Sequence, residues 1–214
     1  MAGRDSKLVE SELNNADWTV RLACAQREDF TPTKKQVISG LRDEDHIVRM
    51  AWSNRKDYDL SSEIIEIGLS DSMALVRKIW ASRADFTPTD EQFDMGIMDK
   101  YDAVGLAWAS RADIVGFTSH IGQWMRSAHW NVQVSLSKRE DLSFTAEEIE
   151  NALCNKHGRV RVVWARRMDW TPSVSQIDRG LSDDVGYVRK AWMDRLGLAL
   201  DNDLMAESDT VISL

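Results

Sequence analysis

The chain has 214 residues, of which 43% are hydrophobic and 29% charged, and its formal net charge is −8. This composition is typical of a soluble protein with a substantial core, and the negative charge argues against broad, non-specific binding to nucleic acid. No apolar run reaches the length of about 18 residues that a membrane span requires. The segment Met1 to Asn15 has no apolar signal-peptide core, and Cys24 and Cys154 lack metal-type spacing. We therefore expect a cytoplasmic protein without a metal or another cofactor.

The sequence has an internal period of 28 residues, which is the signature of a repeat protein. Seven valines recur at this interval without insertion or deletion: Val20, Val48, Val76, Val104, Val132, Val160 and Val188. Four residues after each valine stand Cys24, Trp52, Trp80, Trp108, Leu136, Trp164 and Trp192. Seven residues after each valine stand Arg27, Arg55, Arg83, Arg111, Arg139, Arg167 and Arg195. Two residues after each arginine stand Asp29, Asp57, Asp85, Asp113, Asp141 and Asp169, until Gly197 breaks the column.

The leading segment, Ser6 to Asn14, is predicted to form half a repeat. Its apolar residues Val9 and Leu13 fall on the columns that the short helices of the later repeats use. A single helix of this kind would cover the apolar side of the first full repeat, as terminal caps do in repeat proteins.

Each full repeat is predicted to begin with a long helix of about twelve residues. Five residues before each valine stands a residue whose side chain can serve as an N-cap: Asn15, Asp43, Asp71, Asp99, Ser127, Asn155 and Asp183. In the second repeat Ile47, Val48, Ala51 and Trp52 then follow the spacing of one helical face. The arginine seven residues after the valine would lie near the helix C-terminus, where a cation opposes the macrodipole.

A short helix is predicted to follow in most repeats. Capping boxes mark its start: Thr33 with Gln36, Thr89 with Gln92, Thr145 with Glu148, and Ser173 with Gln176. The helix would end near a glycine: Gly40, Gly68, Gly96 or Gly180. No stretch alternates with the period of two residues that strands require. The sequence therefore predicts an all-α protein.

The pattern breaks in the fourth repeat and at the start of the fifth. Gly105 follows the column valine, the Thr-Pro loop becomes Val115-Gly116-Phe117, and the usual glycine becomes Trp124. Residues released from the shared packing rule can serve a partner, and Trp and Arg are enriched at interface hot spots. The candidate aromatic patch consists of Phe117, His120, Trp124, Arg126, His129 and Trp130. The alternative is drift of the repeat, with Trp124 filling the space that a displaced helix leaves.

The repeat pattern ends after Arg195. Leu196-Gly197-Leu198 could complete the last layer, and the acidic segment from Asp201 to Leu214 is predicted to be a loosely docked or disordered tail. We therefore predict a single domain over residues 1–195, followed by a C-terminal cap and acidic tail over residues 196–214.

Two repeat families share features with these repeats. The string Asp-x-x-x-x-Val-Arg-x-Ala-Trp, which begins at Asp43 and again at Asp183, is similar to the second helix of HEAT repeats. The Val-Arg and Thr87-Pro88 signatures also resemble the leucine-rich repeat variant, whose repeat is shorter and whose second helix is usually of the 3₁₀ type. The resemblance covers residues 15 to 195 and implies a right-handed α-solenoid of seven HEAT-like helix pairs. It does not imply one function, because such folds host scaffolds, adaptors, DNA glycosylases and lyases.

The repeated side chains allow structural and functional interpretations. The tryptophan column shares a helical face with the valines, which favours a core role over stacking platforms for bases. The arginines seven residues after the valines are predicted to have a structural role at the joints between repeats, in ion pairs with the aspartates two residues later that form either within a repeat or to the next one. A second arginine column follows the valines directly and could form a stripe that binds phosphates on the concave side of a HEAT-like fold: Arg21, Arg49, Arg77, Arg161 and Arg189.

Signatures of catalysis are missing from the sequence. His46, His120, His129 and His157 form no metal pair, and no nucleophile, Walker or dinucleotide motif is present. We therefore expect a non-enzymatic module that binds a protein partner, in one version as a small acidic regulator or inhibitor that docks on a basic surface. The alternative is a nucleic-acid-binding protein, similar to HEAT-like DNA glycosylases, that uses the arginine columns.

Overall fold

The computed structural model describes residues 6–198, and every regular element in that range is helical. The predicted all-α class is therefore confirmed for this part of the chain. The predicted acidic tail, Asp201 to Leu214, lies outside the described residues. The chain divides into two compact units, with the division between Asp113 and Ile114.

The first unit contains eight described helices, arranged as four consecutive pairs. They are α1 (Ser6–Leu13), α2 (Trp18–Ala25), α3 (Lys34–Leu41), α4 (His46–Asn54), α5 (Ser62–Leu69), α6 (Ala74–Ala81), α7 (Asp90–Ile97) and α8 (Asp102–Ala109). Each odd-numbered helix packs against the even-numbered helix that follows it, and the even-numbered helices stack in chain order. The leading helix α1 buries Val9 and Leu13, as predicted.

The second unit follows a 3₁₀ segment, Ala112–His120, which lies across the division between the units. Its described helices are α9 (Ile121–Ser127), α10 (Trp130–Ser137), α11 (Ala146–Leu153), α12 (Gly158–Arg166), α13 (Val174–Leu181) and α14 (Gly186–Leu196). Here too the helices pack in consecutive pairs, and α10, α12 and α14 stack in order.

The even-numbered helices are shorter than predicted and begin later. Most have eight or nine residues rather than about twelve, although α14 has eleven. Their N-caps lie two residues after the predicted ones, so that Asp45 rather than Asp43 caps α4. The prediction placed the caps wrongly because Asp43 has another role: its Oδ1 accepts from the backbone N–H of Asp45, at 2.8 Å. The aspartate thus fixes the turn that leads into the helix.

The predicted capping boxes are confirmed at the starts of α3, α7, α11 and α13. At Thr33, for example, the hydroxyl accepts from the Gln36 backbone N–H, and the Gln36 side chain accepts from the Thr33 N–H. Each box satisfies two of the backbone donors that a helix N-terminus leaves without partners.

The tryptophan column forms the core, as predicted. All five column tryptophans are at most 1% exposed: Trp52, Trp80, Trp108, Trp164 and Trp192. In four repeats the indole lies against the glycine twelve residues earlier, and a Cβ atom at Gly68 would lie 2.0 Å from Cε2 of Trp80. The glycine is required because the indole of one helix occupies the space of a side chain on its neighbour.

The fourth repeat exchanges the positions of the large and small side chains. Trp124 takes the glycine column, Leu136 takes the tryptophan column, and both are fully buried. The 28-residue period from Asp90, the start of α7, would place the start of α9 at residue 118, but the helix begins at Ile121. The 3₁₀ segment supplies the extra residues before it. The burial of Trp124 favours the structural interpretation of this side chain over the exposed one.

Replacing Gly68 by Ala should destabilise the protein by about 3 kcal/mol, because the added Cβ meets a rigid, buried indole. Gly116→Ala is the matched control, since no heavy atom lies within 4 Å of its added Cβ. Urea unfolding of both variants measures the difference. Equal stabilities would contradict the packing described here.

Replacing Ala25 by Ser should stabilise the protein by about 1 kcal/mol. The indole N–H of Trp52 is buried without a hydrogen-bond partner. In the equivalent positions Ser53 accepts from Trp80, and Ser137 accepts from Trp164, each at 2.9 Å. Ser53→Ala is the reciprocal control and should lower the free energy of unfolding by about 1–2 kcal/mol. The interpretation fails if thermal unfolding shows both substitutions acting in the same direction.

Candidate binding surfaces

The arginines of the column seven residues after valine hold the helix pairs together. Arg83 forms two hydrogen bonds with Asp85, at 2.9 and 2.6 Å, and its Nη1 donates to the carbonyl oxygens of Ser53 and Arg55, both at 2.8 Å. Its guanidinium also lies 4.7 Å from the centre of the Trp80 ring. The same aspartate contact recurs across the column, which confirms the structural interpretation.

The second arginine column forms another set of contacts, which we call the arginine ladder. Arg49 donates from Nε and Nη2 to the carboxylate of Asp71, at 2.7 and 3.0 Å, and from Nη1 to the carbonyl of Asp43. Equivalent ion pairs, 22 residues apart, are Arg21–Asp43, Arg77–Asp99 and Arg161–Asp183. Each aspartate is one of the predicted N-caps, so it orders its own turn and also binds the preceding helix pair.

The ladder contradicts the predicted phosphate-binding stripe. The side chains of Arg21, Arg49, Arg77 and Arg161 are at most 12% exposed, and their guanidinium groups bind carboxylates. Arg189 donates to the backbone carbonyls of Asp183 and Asp184. The arginines of this column are therefore directed into the joints between helix pairs.

The pKa values of Arg49 and Asp99 show the effect of the ladder contacts. The hydrogen bond with Asp71 raises the pKa of the Arg49 guanidinium, against the opposing effect of burial. At Asp99, burial alone would raise the pKa, but hydrogen bonds from Arg77 and from the Tyr101 backbone N–H lower it overall. Both residues thus keep their charges over the ordinary pH range.

At two positions of the second arginine column another residue replaces the arginine. At one, the residue is Gly105, which has no side chain to form the ion pair. At the other, Gln133 accepts a hydrogen bond from Nδ2 of Asn155, at 2.8 Å. Asn155 still accepts from the His157 backbone N–H. The uncharged pair Gln133–Asn155 therefore takes the place of the ion pair, and the turn that begins at Asn155 is kept.

Asp71→Asn should lower the free energy of unfolding by about 3–5 kcal/mol, because Arg49 would be buried without its counter-charge. The amide keeps the oxygen that accepts from the Met73 backbone N–H. Adding Arg49→Gln copies the natural Gln133–Asn155 pair and should recover much of the loss. A double-mutant cycle in urea measures the coupling. A double variant no more stable than Asp71→Asn would argue against the ladder.

The residues of the predicted aromatic patch do not form one surface. Trp124 is 0% exposed, so its assignment to a partner-binding surface was wrong; it stacks with His120, with ring centres 5.9 Å apart. Phe117 is half-buried in the 3₁₀ segment. Arg126, His129 and Trp130 do come together, at the end of α9 and the start of α10.

Arg126, His129 and Trp130 line a groove of about 810 Å³ in the second unit. The Trp130 ring lies 5.7 Å from the His129 ring and 5.8 Å from the His157 ring, and the Arg159 guanidinium lies 5.1 Å from its centre. The remaining lining residues are Met125, Ser127, Ala128, Gln133, Asn151, Asn155, Lys156 and His157. We did not predict from the sequence that the loop before α12 lines this groove. That loop lies 28 residues after the loop before α10, and this spacing could have indicated that the two loops are neighbours.

A second candidate surface lies on the even-numbered helices. The even-helix face consists of the residues two, three and six positions after each column valine. In the first unit these are Leu22, Ala23, Gln26, Met50, Ala51, Asn54, Lys78, Ile79, Ser82, Leu106, Ala107 and Ser110. All of them are at least partly accessible to solvent. None is acidic, although 35 of the 214 residues of the chain are Asp or Glu.

The same face of the second unit is also poor in carboxylates. Its residues are Val134, Ser135, Lys138, Val162, Val163, Arg166, Lys190, Ala191 and Asp194. Exposed carboxylates occur on the odd-numbered helices of both units, for example Glu63, Glu66, Asp90, Glu91, Glu147 and Asp178. Exposed carboxylates are therefore found on α5, α7, α11 and α13, whereas α3 and α9 contain none.

The other titratable groups show no metal-binding arrangement. No group of three or more His, Cys, Asp or Glu side chains within residues 6–198 is placed to hold a metal ion. Burial raises the pKa of the Cys24 thiol to about 11. In the part of the chain that is described, no helix has the length and apolar character needed to cross a membrane. Comparison with protein families, curated proteins and solved structures finds no match to this chain.

Proposed function

We propose that the chain is a non-enzymatic protein-binding module that recognises its partner through the even-helix face. The observation that carries this proposal is the absence of acidic residues from that face in the first unit of an acidic protein. Polar residues are the ordinary cover of a helix face in contact with water alone. A face that combines accessible apolar side chains with lysines is suited to a protein contact.

The predicted right-handed, HEAT-like α-solenoid of seven helix pairs is part of this proposal. Support comes from the 28-residue sequence period and from the ladder ion pairs, of which three lie in the first unit and one in the second. In this interpretation the repeated arginines and aspartates serve the joints, and the residues that vary between repeats carry recognition.

A groove between α4 and α6 continues this face, since face residues such as Met50, Lys78 and Ile79 line it together with the neighbouring Leu75 and Lys56. Its volume is about 390 Å³, and Met50, Leu75 and Ile79 contribute apolar side chains to it. Lys56 and Lys78 line the same groove, and none of the described residues that line it is acidic. We infer that the partner presents a segment of polypeptide in which apolar side chains are flanked by carboxylates.

Leu75 is the residue to substitute in a test of partner binding at this groove. It is 51% exposed, so it contributes little to the core, and it lies in the first turn of α6, where an aspartate is compatible with the helix. Leu75→Asp should abolish partner binding without unfolding the protein. Met95→Asp is the matched control, because Met95 is 58% exposed on α7 and does not line the groove that Leu75 lines.

Selection from a random peptide display library, followed by affinity purification from the native host, tests the proposal. We expect the wild-type protein and Met95→Asp to select apolar–acidic peptides and to recover the same stoichiometric partner, and Leu75→Asp to lose both. Thermal unfolding of each variant checks the fold. Recovery of the same peptides and partner by Leu75→Asp would refute the use of this face.

The alternative regulator, which docks on a basic partner surface, would use the exposed carboxylates of the odd-numbered helices. It predicts basic peptides from the same selection and a complex that weakens steeply with salt. Nucleic-acid binding through the second arginine column is not proposed, because those arginines bind aspartates.

A further inference from the structure

The loops that precede the even-numbered helices differ in charge along the chain. Each spans the four residues from five to two positions before a column valine. Five of the seven carry at least one Asp, as at residues 15–18 and 43–46. The loops at residues 127–130 and 155–158, with the sequences Ser-Ala-His-Trp and Asn-Lys-His-Gly, carry no carboxylate. These two loops are consecutive, and together they line the groove beside Trp130.

The substitutions remove negative charge while the local turn survives. Asn155 occupies an aspartate column, yet its Oδ1 still accepts from the His157 backbone N–H, at 2.9 Å. Its Nδ2 donates to Gln133, whose own Nε2 donates to the Ala128 carbonyl. The floor of the groove is thus an uncharged amide pair whose hydrogen bonds are made within the protein.

Cations surround this uncharged floor. Arg126 and Lys156 line the groove and are exposed, and Arg159 lies over Trp130. Glu148 lies near Arg126 beside Gly122, but it is not among the residues that line the groove. The pKa of His157 is lowered by desolvation and by the nearby positive charges of Lys156 and His129. An anion in the groove would relieve this repulsion.

The start of α12 adds a further attraction for anions. Its N-cap is His157, whose side chain makes no capping hydrogen bond, whereas Asp17 and Asp45 cap the equivalent helices α2 and α4. The first backbone N–H groups of a helix are donors with a partial positive charge. The helices α6, α8 and α14 also lack a side-chain cap, but the loops before them carry at least one Asp, and the loop before α12 carries none.

We propose that the groove between the loops 127–130 and 155–158 binds a phosphate dianion, either as the free ion or as an organic phosphomonoester. Two exposed cations, the helix N-terminus and two imidazoles around an acid-free groove favour a double negative charge over a single one. The volume of about 810 Å³ is within the range of small-molecule sites and admits an organic phosphate as well as free phosphate. This inference does not depend on the proposed partner or on the even-helix face.

Proton NMR of the four histidines provides a direct test. We expect inorganic phosphate at constant ionic strength to shift the ring signals of His129 and His157 and to raise the pKa of His157, while His46 in the first unit serves as an internal control. Adenosine monophosphate distinguishes the source of the phosphate: tighter binding than inorganic phosphate indicates an organic phosphomonoester, and equal binding indicates the free ion.

The variant Arg126→Gln with Lys156→Gln should weaken phosphate binding at least about tenfold, which corresponds to about 1.4 kcal/mol. Lys138→Gln with Arg166→Gln is the control, because it removes the same charge from exposed residues of the second unit outside the groove. Equal loss in both variants, uniform shifts of all four histidines, or acetate binding as tight as phosphate would overturn the proposal.

Discussion

Buried contacts between arginine and aspartate determine how one helix pair meets the next in each unit. The aspartate side chain accepts from the backbone of its own turn and receives the guanidinium of the preceding pair, as Asp71 does with Met73 and Arg49. One side chain therefore fixes both a local turn and a long-range joint. A buried ion pair is costly to desolvate, and here the cost is offset because bidentate geometry and backbone carbonyls satisfy the guanidinium.

The second constraint is steric. Four of the five column tryptophans lie against a glycine on the paired helix, because the indole occupies the volume of a side chain there. At the junction of the fourth and fifth repeats the large Trp124 stands in the glycine column and the smaller Leu136 in the tryptophan column, and both are buried. The core can therefore tolerate exchange between helices while its packing density is kept.

The charged residues therefore fall into two groups: those that join the helix pairs and those that face solvent. Arginines and aspartates in the repeated columns are committed to the joints, and they contribute little to the surface that a ligand meets. The surface character depends on the residues that vary: the even-helix face, which is acid-free in the first unit, and the two acid-free loops around Trp130. An overall charge of −8 consequently conceals local regions of the opposite sign. Both proposed binding regions lie where the acidic character of the chain is interrupted.

The sequence alone determined the helical class, the period, the capping boxes and the burial of the tryptophans. These follow from local rules, since capping and amphipathic spacing involve residues within one or two turns. It did not determine the partners of the second arginine column, because the ion pair joins residues 22 apart and each side chain was equally compatible with solvent. It placed Trp124 on the surface, because the displacement of α9 and the volume exchange with Leu136 exist only in the packed unit. The grouping of His157 and Lys156 with Trp130 was likewise decided by the stacking of α10 and α12, which brings together loops that are one repeat apart.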